Sequence, residues 1–266
     1  CAARGLTGFR MTDCMFGALA MMLPDKVKAA GDGGNTGVSI GGYYDDRTPF
    51  IYVDFTCGAW GARPWADGLD GNSHMFANMA SHSVEITEAE NPIQLLAYEF
   101  VPDKAGAGKY RGGVPFRRDY RLLEDEATLQ VRSDRRTHRP FGLYGGSPGG
   151  PSENYLNPDG ENRLLPSKLT MTMKKNDVFR HVLAGAGGWG DPLERDPAAV
   201  LRDVRNELLS PARAERDYGV VIDVARWQVD AAATTRRRSE IRAARGWRET
   251  PKVQRDDPLP QARKAA

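Results

Sequence analysis

Short stretches in which apolar and polar residues alternate, separated by glycine-dense loops, constrain this sequence most. Along residues 116–123, Phe116, Tyr120 and Leu122 alternate with charged residues, which is the period of a strand with one buried face. Further strands are predicted at 50–55, 84–87, 95–101, 128–132, 169–173 and 178–183. The sequence therefore predicts a β-rich protein with glycine-rich loops.

Helices are predicted on both sides of this β-rich part. An apolar stripe from Thr12 to Leu23, with Thr12 as cap and Pro24 as stop, predicts an N-terminal helix. Two short C-terminal helices each begin with a capping residue and a proline, and the second ends at a glycine: Asp196-Pro197, Ser210-Pro211 and Gly219. The predicted fold class is α+β.

Two turns predict how neighbouring strands pair. The acidic run Glu124–Glu126 separates the strands at 116–123 and 128–132, which are expected to pair with each other. The run Lys174–Asp177 is typical of a hairpin turn and predicts that 169–173 pairs with 178–183.

Charge and composition exclude some partners. The net charge of +2 argues against the whole molecule as a nucleic-acid partner. Arginines are concentrated in residues 236–248, and we interpret this segment as a solvated, partly helical part of a disordered tail over 224–266 that binds no nucleic acid. No apolar run approaches the roughly 20 residues that cross a bilayer, so no membrane association is expected.

The cysteines and the first residue bear on the cellular compartment. Cys1, Cys14 and Cys57 show neither metal-binding nor redox spacing, and their odd number favours a reducing cytoplasm. We interpret the start at Cys1 as a partial reading frame rather than as lipoprotein processing.

The loop Asp70-Gly-Asn-Ser-His74 contains the best candidate catalytic residues. His74 and Asp70 can form an acid/base pair or supply metal ligands, although their spacing matches no compact metal motif. Asn72, and Asn35 in the glycine-rich loop 31–37, are candidate substrate-binding residues. The alternative is that both loops are merely structural.

Three other polar or glycine-rich segments have competing interpretations. The loop 31–37 lacks the Lys-Ser/Thr of a phosphate-binding loop, and residues 185–190 end in Asp-Pro, which favours a tight connection. Residues 132–138 carry several guanidinium groups that can hold a carboxylate or phosphate. Alternatively, Asp134 pairs with Arg132 or Arg135 in an ion-paired loop.

Several longer motifs follow one another along the chain. The first is the strand and turn from Glu90 to Gly113, which ends in Lys-Tyr-Arg-Gly-Gly. The others are Val131–Arg136, Pro140–Gly146, Leu165–Lys168, Gly187–Pro197 and Asp217–Val221. Together these motifs resemble the hydantoinase B/oxoprolinase family and follow its order over about residues 10–223.

This resemblance, closest to N-methylhydantoinase, implies the B-type subunit of a cytoplasmic, hetero-oligomeric enzyme that hydrolyses cyclic amides such as hydantoins or 5-oxoproline. It implies ATP bound by an A-type, actin-like ATPase partner, and a divalent metal (Zn or Mn). Its ligands are expected in a missing N-terminal half, so the isolated chain is expected to be inactive. Residues 1–92 would then end the catalytic region, and 93–223 would form a β-rich region with closing helices. The alternatives are a subunit of an ATP-dependent ketone carboxylase, as in acetone and acetophenone carboxylases, and a non-catalytic docking scaffold.

Overall fold

A computed structural model describes residues 4–32, 36–56, 58–247 and 249–255. Within these ranges, the helices are α1 (Arg4–Leu19), α2 (Val84–Glu90), α3 (Pro197–Arg205), α4 (Pro211–Tyr218) and α5 (Ala231–Ala244). The longer strands are β1 (Thr36–Tyr43), β2 (Pro49–Thr56), β3 (Ile93–Phe100), β4 (Phe116–Leu122), β5 (Glu126–Arg132), β7 (Glu153–Leu156), β9 (Lys168–Lys174) and β10 (Val178–Val182). The short strands are β6 (Gly142–Leu143), β8 (Arg163–Leu165), β11 (Ile222–Asp223), β12 (Gln228–Val229) and β13 (Val253–Gln254). None of these helices is long and apolar enough to cross a membrane.

Two antiparallel sheets pack face to face around the main core. One has the strand order β2-β1-β5-β9 and the other β3-β4-β10-β7-β8. Ile40 and Leu129 from the first sheet and Tyr120 and Phe179 from the second are fully buried in the core between them. The predicted α+β, β-rich fold class is therefore confirmed. The first sheet combines strands from both sides of the predicted division at residue 92.

Both predicted hairpins are wrong in their strand pairing. β5 pairs with β1 and β9, and β4 pairs with β3 and β10. β9 and β10 also belong to different sheets, although the backbone of Asp177 does form a turn with Lys174. Each turn connects a strand of one sheet to a strand of the other. Two consecutive strands that each have one apolar face can pack these faces against each other across the core, without pairing by hydrogen bonds in one sheet.

Two segments differ in type from the sequence prediction. Residues 84–87, expected to be a strand, begin helix α2, because Ser83 caps it by accepting a hydrogen bond from the backbone N–H of Ile86. The glycine-rich residues after position 35 form strand β1, where Gly42 lies so close to β5 that a Cβ would be 2.8 Å from the Glu126 carbonyl oxygen. Helix α1 also covers residues 4–19 rather than 12–23.

The C-terminal helix pair is confirmed in detail. Asp196 caps α3 by accepting from the backbone N–H of Ala198 at 2.9 Å, and Ser210 caps α4 by accepting from that of Arg213 at 3.2 Å. Gly219 ends α4 in the left-handed conformation with φ of 62°. These local signals suffice because capping depends on only three or four neighbouring residues.

The arginine-rich segment is partly helical, as expected, but residues 231–244 form an ordered helix rather than part of a disordered tail. Asp230 caps α5, and Thr234 accepts a hydrogen bond from the backbone N–H of Val221. Arg238 donates to the carbonyl oxygens of Tyr218 (3.0 Å) and Arg195 (2.6 Å). Arg238 therefore connects the helix to the rest of the molecule. Residues 256–266 of the predicted tail lie outside the described ranges.

A second packing region consists mostly of main chain, and we call it the backbone junction. It joins residues 29–32, 58–62, 104–113, 141–150 and 185–190 by hydrogen bonds outside the sheets. The backbone N–H of Gly187 donates to the Ala30 carbonyl at 2.8 Å, and a Cβ on Gly187 would lie 2.0 Å from the Phe141 carbonyl oxygen. Only glycine permits this approach. The predicted tight connection at 185–190 is thus part of the junction.

Candidate functional site

A buried group of charged side chains lies behind helix α1, and we call it the α1 cluster. Its members are Asp13, Lys28, Asp32, His74 and Arg135, and Arg10 joins it from the solvent side. Only 3% of His74 is exposed, and its ring packs on that of Phe9 with a centroid separation of 4.4 Å. Helix α1 supplies Asp13, and the backbone junction holds the segments that carry Lys28 and Asp32.

The hydrogen bond of His74 defines which of its ring nitrogens carries the proton. Nδ1 accepts from the backbone N–H of Phe76 at 3.2 Å, so the neutral ring carries its proton on Nε2. Nε2 is buried, has no hydrogen-bond partner within the described ranges, and lies 4.0 Å from Asp13 Oδ1. At this distance the contact is electrostatic rather than a hydrogen bond. His74 thus presents an N–H donor with no acceptor of its own.

Asp13 is held in its ionised form. Burial on its own would raise the pKa of this carboxyl, but His74 and the charges of Arg135, Arg10 and Lys28 outweigh burial and hold its pKa below the ordinary value. Arg10 lies 3.3 Å from Asp13 Oδ2, and Arg135 donates to the same oxygen. Asp13 is therefore a fixed negative charge beside the His74 imidazole.

Lys28 is an unusual amine because it is almost fully buried. Burial lowers the pKa of Lys28, and the negative charges of Asp13 and Asp32 raise it again by less than burial lowers it. Its Nζ lies 4.9 Å from the centre of the Trp60 ring. Asp32 Oδ2 accepts a hydrogen bond from the backbone N–H of Gly58 at 2.7 Å. An imidazole N–H donor, a carboxylate and a buried amine together suit proton transfer and the stabilisation of a developing oxyanion.

A cleft of about 490 Å³ opens beside the α1 cluster. Asp13 and Arg135 belong to both, so the cleft gives solvent-side access to the cluster's carboxylate. Its remaining walls come from α1, from residues 138–141 and from the segment around β13. We call it the α1 cleft.

The sequence-predicted site residues do not all come together. His74 lies in the α1 cluster, but the carboxylate of Asp70 accepts two hydrogen bonds from Arg111, at 2.6 and 2.9 Å, and one from the backbone of Val114. The hydrogen bonds of Asp70 and His74 share no residue within the described ranges. Asn72 is exposed, and Asn35 lies outside those ranges. The roles assigned to these four residues stay predictions.

Asp70 belongs instead to a closed ionic network, the Arg111–Arg195 network. Arg111 binds Asp70 and Asp203, and Arg195 binds Asp67 and Asp203. All six carboxylate oxygens of the three aspartates accept hydrogen bonds. This arrangement connects α3 to the loop 67–70 and indicates a structural role for Asp70.

The metal ligands that the family implies have no match in the described part of the chain. There, no three His, Cys, Asp or Glu side chains converge on a point that suits a metal ion. His74 and Asp13 supply only two donors, and the guanidinium groups of Arg10 and Arg135 already bind the carboxylate. This donor set does not fit a divalent metal. The expectation that the ligands lie elsewhere stays a prediction.

Sequence reasoning missed Asp13, Lys28 and Asp32, since they come from segments far from His74 in the chain. The sequence indicated Asp13 only as part of the helix predicted from Thr12 to Leu23. Residues 132–138 were recognised as a charged group, but their predicted pairing was wrong: Asp134 binds Arg10, at 3.2 Å, and Lys168. The sequence signal at residues 28–33 is a lysine and an aspartate within a stretch of small residues and glycines, and it is only a weak indication of a buried charged site.

Comparisons with known proteins identify relatives of this chain. A family model described as hydantoinase B/oxoprolinase matches residues 1–192. An uncharacterized protein of Methanocaldococcus jannaschii is 37% identical over 216 residues, which cover 81% of this chain and 37% of that protein. Caprolactamase subunit beta of Pseudomonas jessenii is 30% identical over 242 residues, with 84% and 40% covered. The chain therefore spans less than half the length of these relatives.

Two solved structures have a similar fold. The crystal structure of the ATP-dependent caprolactamase from Pseudomonas jessenii has a TM-score of 0.72 and 27% identity, over 84% of this chain and 40% of that chain. A nucleotide-free acetone carboxylase has a TM-score of 0.67 and 24% identity, over 85% of this chain and 35% of that chain, which shows the fold alone. On the family match, the motifs and the shared fold, this chain belongs to the hydantoinase B/oxoprolinase family.

Proposed function

We propose that this chain is part of the B-type subunit of an ATP-dependent cyclic-amide hydrolase. The observation that carries this proposal is the match to caprolactamase, which covers 84% of the chain in the sequence comparison and 84% in the structure comparison. The name caprolactamase denotes an enzyme that acts on a lactam. Hydantoins and 5-oxoproline have the same ring amide, and the substrate proposed here is a small molecule of this class.

The α1 cluster offers groups that suit such a reaction. The Nε2–H of His74 has no hydrogen-bond acceptor among the residues that the structure describes, and it can donate to the carbonyl oxygen of an amide as its negative charge develops. Asp13 stabilises positive charge on that ring, and Lys28 can take up or release a proton near neutral pH more readily than an exposed lysine. ATP converts an unreactive amide oxygen into a phosphate leaving group, a step that we assign to an A-type, actin-like ATPase partner.

The exposed apolar side chains support a hetero-oligomer. Met11 is 62% exposed and Met15 63% exposed on α1, and Trp65 and Phe76 are exposed in the segment 60–76. Apolar groups of this size are typical of a surface that another subunit covers. We propose that the A-type partner binds here, in the cytoplasm.

A ketone carboxylase subunit is the second candidate, because acetone carboxylase has the same fold. The two functions differ in their requirement for bicarbonate. The reading frame upstream of the Cys1 codon defines the polypeptide to assay, together with its A-type partner. Cyclic-amide hydrolysis predicts ATP turnover with caprolactam, N-methylhydantoin or 5-oxoproline without bicarbonate. Turnover only with a ketone and bicarbonate would replace it with carboxylation, and no turnover would favour a docking scaffold.

Variants of His74 test the role of its N–H donor. In the reconstituted enzyme, His74→Leu is expected to lower kcat by about 100-fold or more, the usual loss of one oxyanion donor. His74→Gln, whose amide can donate but cannot titrate, should retain more activity than His74→Leu. His82→Leu is the matched control, because His82 is exposed. Equal activity of His74→Leu and the control would remove His74 from the mechanism.

A further inference from the structure

We propose that helix α1 is a movable cover over His74, and that a substrate reaches this imidazole only when α1 moves away from it. This inference rests on the role proposed above for His74 and adds that one helix controls access to the site. The burial of the His74 donor, the way in which α1 is attached and the sequence of α1 all point to such a cover.

His74 is enclosed in the arrangement that the structure shows. Only 3% of the residue is exposed, and its Nε2, the atom that would donate to the amide oxygen, is buried. The α1 cleft stops short of it, because Asp13 lines this cleft and His74 does not. An enclosed donor can act on a substrate only if a neighbouring part of the protein moves.

The groups that enclose the imidazole on one side belong to α1. The ring of Phe9 packs on that of His74 with centroids 4.4 Å apart, and Asp13 Oδ1 lies 4.0 Å from Nε2. Phe9 and Asp13 are one helical turn apart, so they lie on the same face of α1. Both are buried against the rest of the molecule. Outward movement of α1 would therefore take both groups away from His74 together.

The backbone of α1 is bonded only within its own segment in the part of the chain that the structure describes. There, all backbone hydrogen bonds of residues 4–26 stay inside that segment. The next one along the chain, from the backbone N–H of Ala29 to the Ala62 carbonyl, already belongs to the backbone junction. The junction holds the segment with Lys28 and Asp32 in place, whereas α1 can swing outwards with its main-chain hydrogen bonds intact.

Side chains hold α1 against the molecule instead. Arg10 donates to Asp134 at 3.2 Å, and Tyr144 donates to the carbonyl oxygen of Ala20, just beyond the helix. An element held by a few contacts of this kind opens at a lower free energy than the whole protein unfolds.

The sequence of α1 also makes it a weak helix. Gly5, Gly8 and Gly17 lie inside it, where glycine is the least favourable residue apart from proline. A Cβ on Gly8 would meet nothing within 4 Å, so packing does not require glycine at this position. Turns follow the helix through residues 20–26, and these turns can act as the hinge.

Carbethoxylation of histidines by diethyl pyrocarbonate tests the cover. His82 is exposed, His74 lies under α1, and His181 is buried in strand β10. In the full chain without its partner, followed by peptide mass spectrometry, His82 should react first. His74 should react about 10- to 1,000-fold more slowly, through opening of α1, and His181 only on global unfolding. Reaction of His74 as fast as His82, or as slow as His181, would overturn the proposal.

The urea dependence of these rates separates movement of α1 from unfolding of the whole protein. Opening of one helix exposes little surface, so the rate at His74 should change little at low urea concentrations. The rate at His181 should rise steeply, because global unfolding exposes the whole core. A parallel rise of both rates would mean that His74 is reached only through global unfolding, which contradicts the cover.

Tyr144→Phe loosens one attachment of α1 without changing the helix itself. It keeps the aromatic ring but removes the donor to the Ala20 carbonyl. We expect modification of His74 to become about 3- to 10-fold faster, with the rate at His82 unchanged. Tyr43→Phe is the matched control, because Tyr43 is 61% exposed on β1, and it should leave both rates unchanged.

Asp134→Asn loosens a second attachment. It removes the negative charge that holds Arg10, from a position outside α1 and the α1 cluster, and it should speed modification of His74 in the same direction. If neither this variant nor Tyr144→Phe changes the rate at His74, α1 is not its cover. These rates are measured without turnover, so a failed cover can be told apart from a failure of cyclic-amide hydrolysis.

Discussion

The Arg111–Arg195 network and the α1 cluster are both buried groups of charged side chains, but they satisfy their polar atoms differently. In the network, every carboxylate oxygen accepts a hydrogen bond, and of the two guanidinium groups only Arg195 Nε lacks a partner. In the α1 cluster, His74 Nε2 and Arg135 Nε have no partner within the described ranges. Both of these atoms are donors.

This difference separates a structural site from a functional one. In the network all carboxylate oxygens are already paired with donors from the protein, and the network contributes by connecting segments that are distant in the chain. In the α1 cluster, the unpaired N–H of His74 lies beside an ionised carboxylate and a buried amine, so it is available to an acceptor that arrives with a ligand. Burial of charge alone would not have distinguished the two groups.

Breaking the closed network should have the largest effect. Arg111→Ala leaves Asp70 without a guanidinium partner and Asp203 with Arg195 alone, and we expect the free energy of unfolding to fall by about 3–5 kcal/mol. Urea denaturation at pH 7.5 measures it. Arg226→Ala, at an exposed position, should change the stability by no more than about 0.5 kcal/mol. A loss under 1 kcal/mol for Arg111→Ala would contradict the structural role of the network.

His181 sharpens the comparison, because it is a second buried histidine with the opposite tautomer. Its Nδ1 lies 2.7 Å from Asn154 Oδ1, whose amide NH₂ donates elsewhere, so Nδ1 carries the proton. Burial lowers its pKa from 6.5 to about 3. The unfolded chain therefore binds more protons than the folded protein between these values, and stability falls as the pH decreases below 6.5.

The expected loss from this one group between pH 7.5 and pH 5 is about 2 kcal/mol. Urea denaturation at both pH values measures it, with His181→Gln as the variant that lacks the titrating ring. The pH dependence of the variant should be smaller than that of the wild type by this amount. Identical pH dependence would mean that His181 accepts a proton in the folded state.

The smallest effect is expected in the open cluster. His74→Leu removes a donor that has no partner, and the exposed backbone of Phe76 can bind water in place of Nδ1. We expect the free energy of unfolding to change by at most about 1 kcal/mol. Denaturation of the same variant used in the activity assay measures it. A loss of 3 kcal/mol or more would place His74 with the structural networks.

The sequence predicted features that depend on a few neighbouring residues. The caps at Asp196 and Ser210, the stop at Gly219 and the alternation along β4 are local, and all are present. Strand pairing depends on which faces meet in the core, so β4 and β5 were paired wrongly although both were recognised as strands. The helix at 84–90 was missed because one capping serine outweighs the β-forming residues of a short segment.

The candidate site was predictable only in part. His74 was recognised from its polar, glycine-rich loop, but its neighbours Asp13 and Lys28 come from separate segments that only tertiary packing brings together. Asp70, four residues from His74 in the chain, was paired with it by proximity in sequence. In the structure Asp70 instead accepts two hydrogen bonds from Arg111, because a guanidinium group can bind both carboxylate oxygens at once and an imidazole cannot.

The backbone junction has a consequence for how this chain tolerates change. Segments without regular structure normally accept insertions, tags and loop grafts. Here the irregular segments 104–113, 141–150 and 185–190 bond to one another with no room for a single methyl group at glycines such as Gly187, so they should resist length changes as a core strand does. An affinity tag or fluorescent insertion belongs instead in the exposed turns at 45–48 or 159–162. Motifs that carry the family resemblance, including Tyr110–Gly113 and Gly187–Pro192, lie within or next to the backbone junction. The sequence of these irregular segments is therefore constrained by close backbone packing.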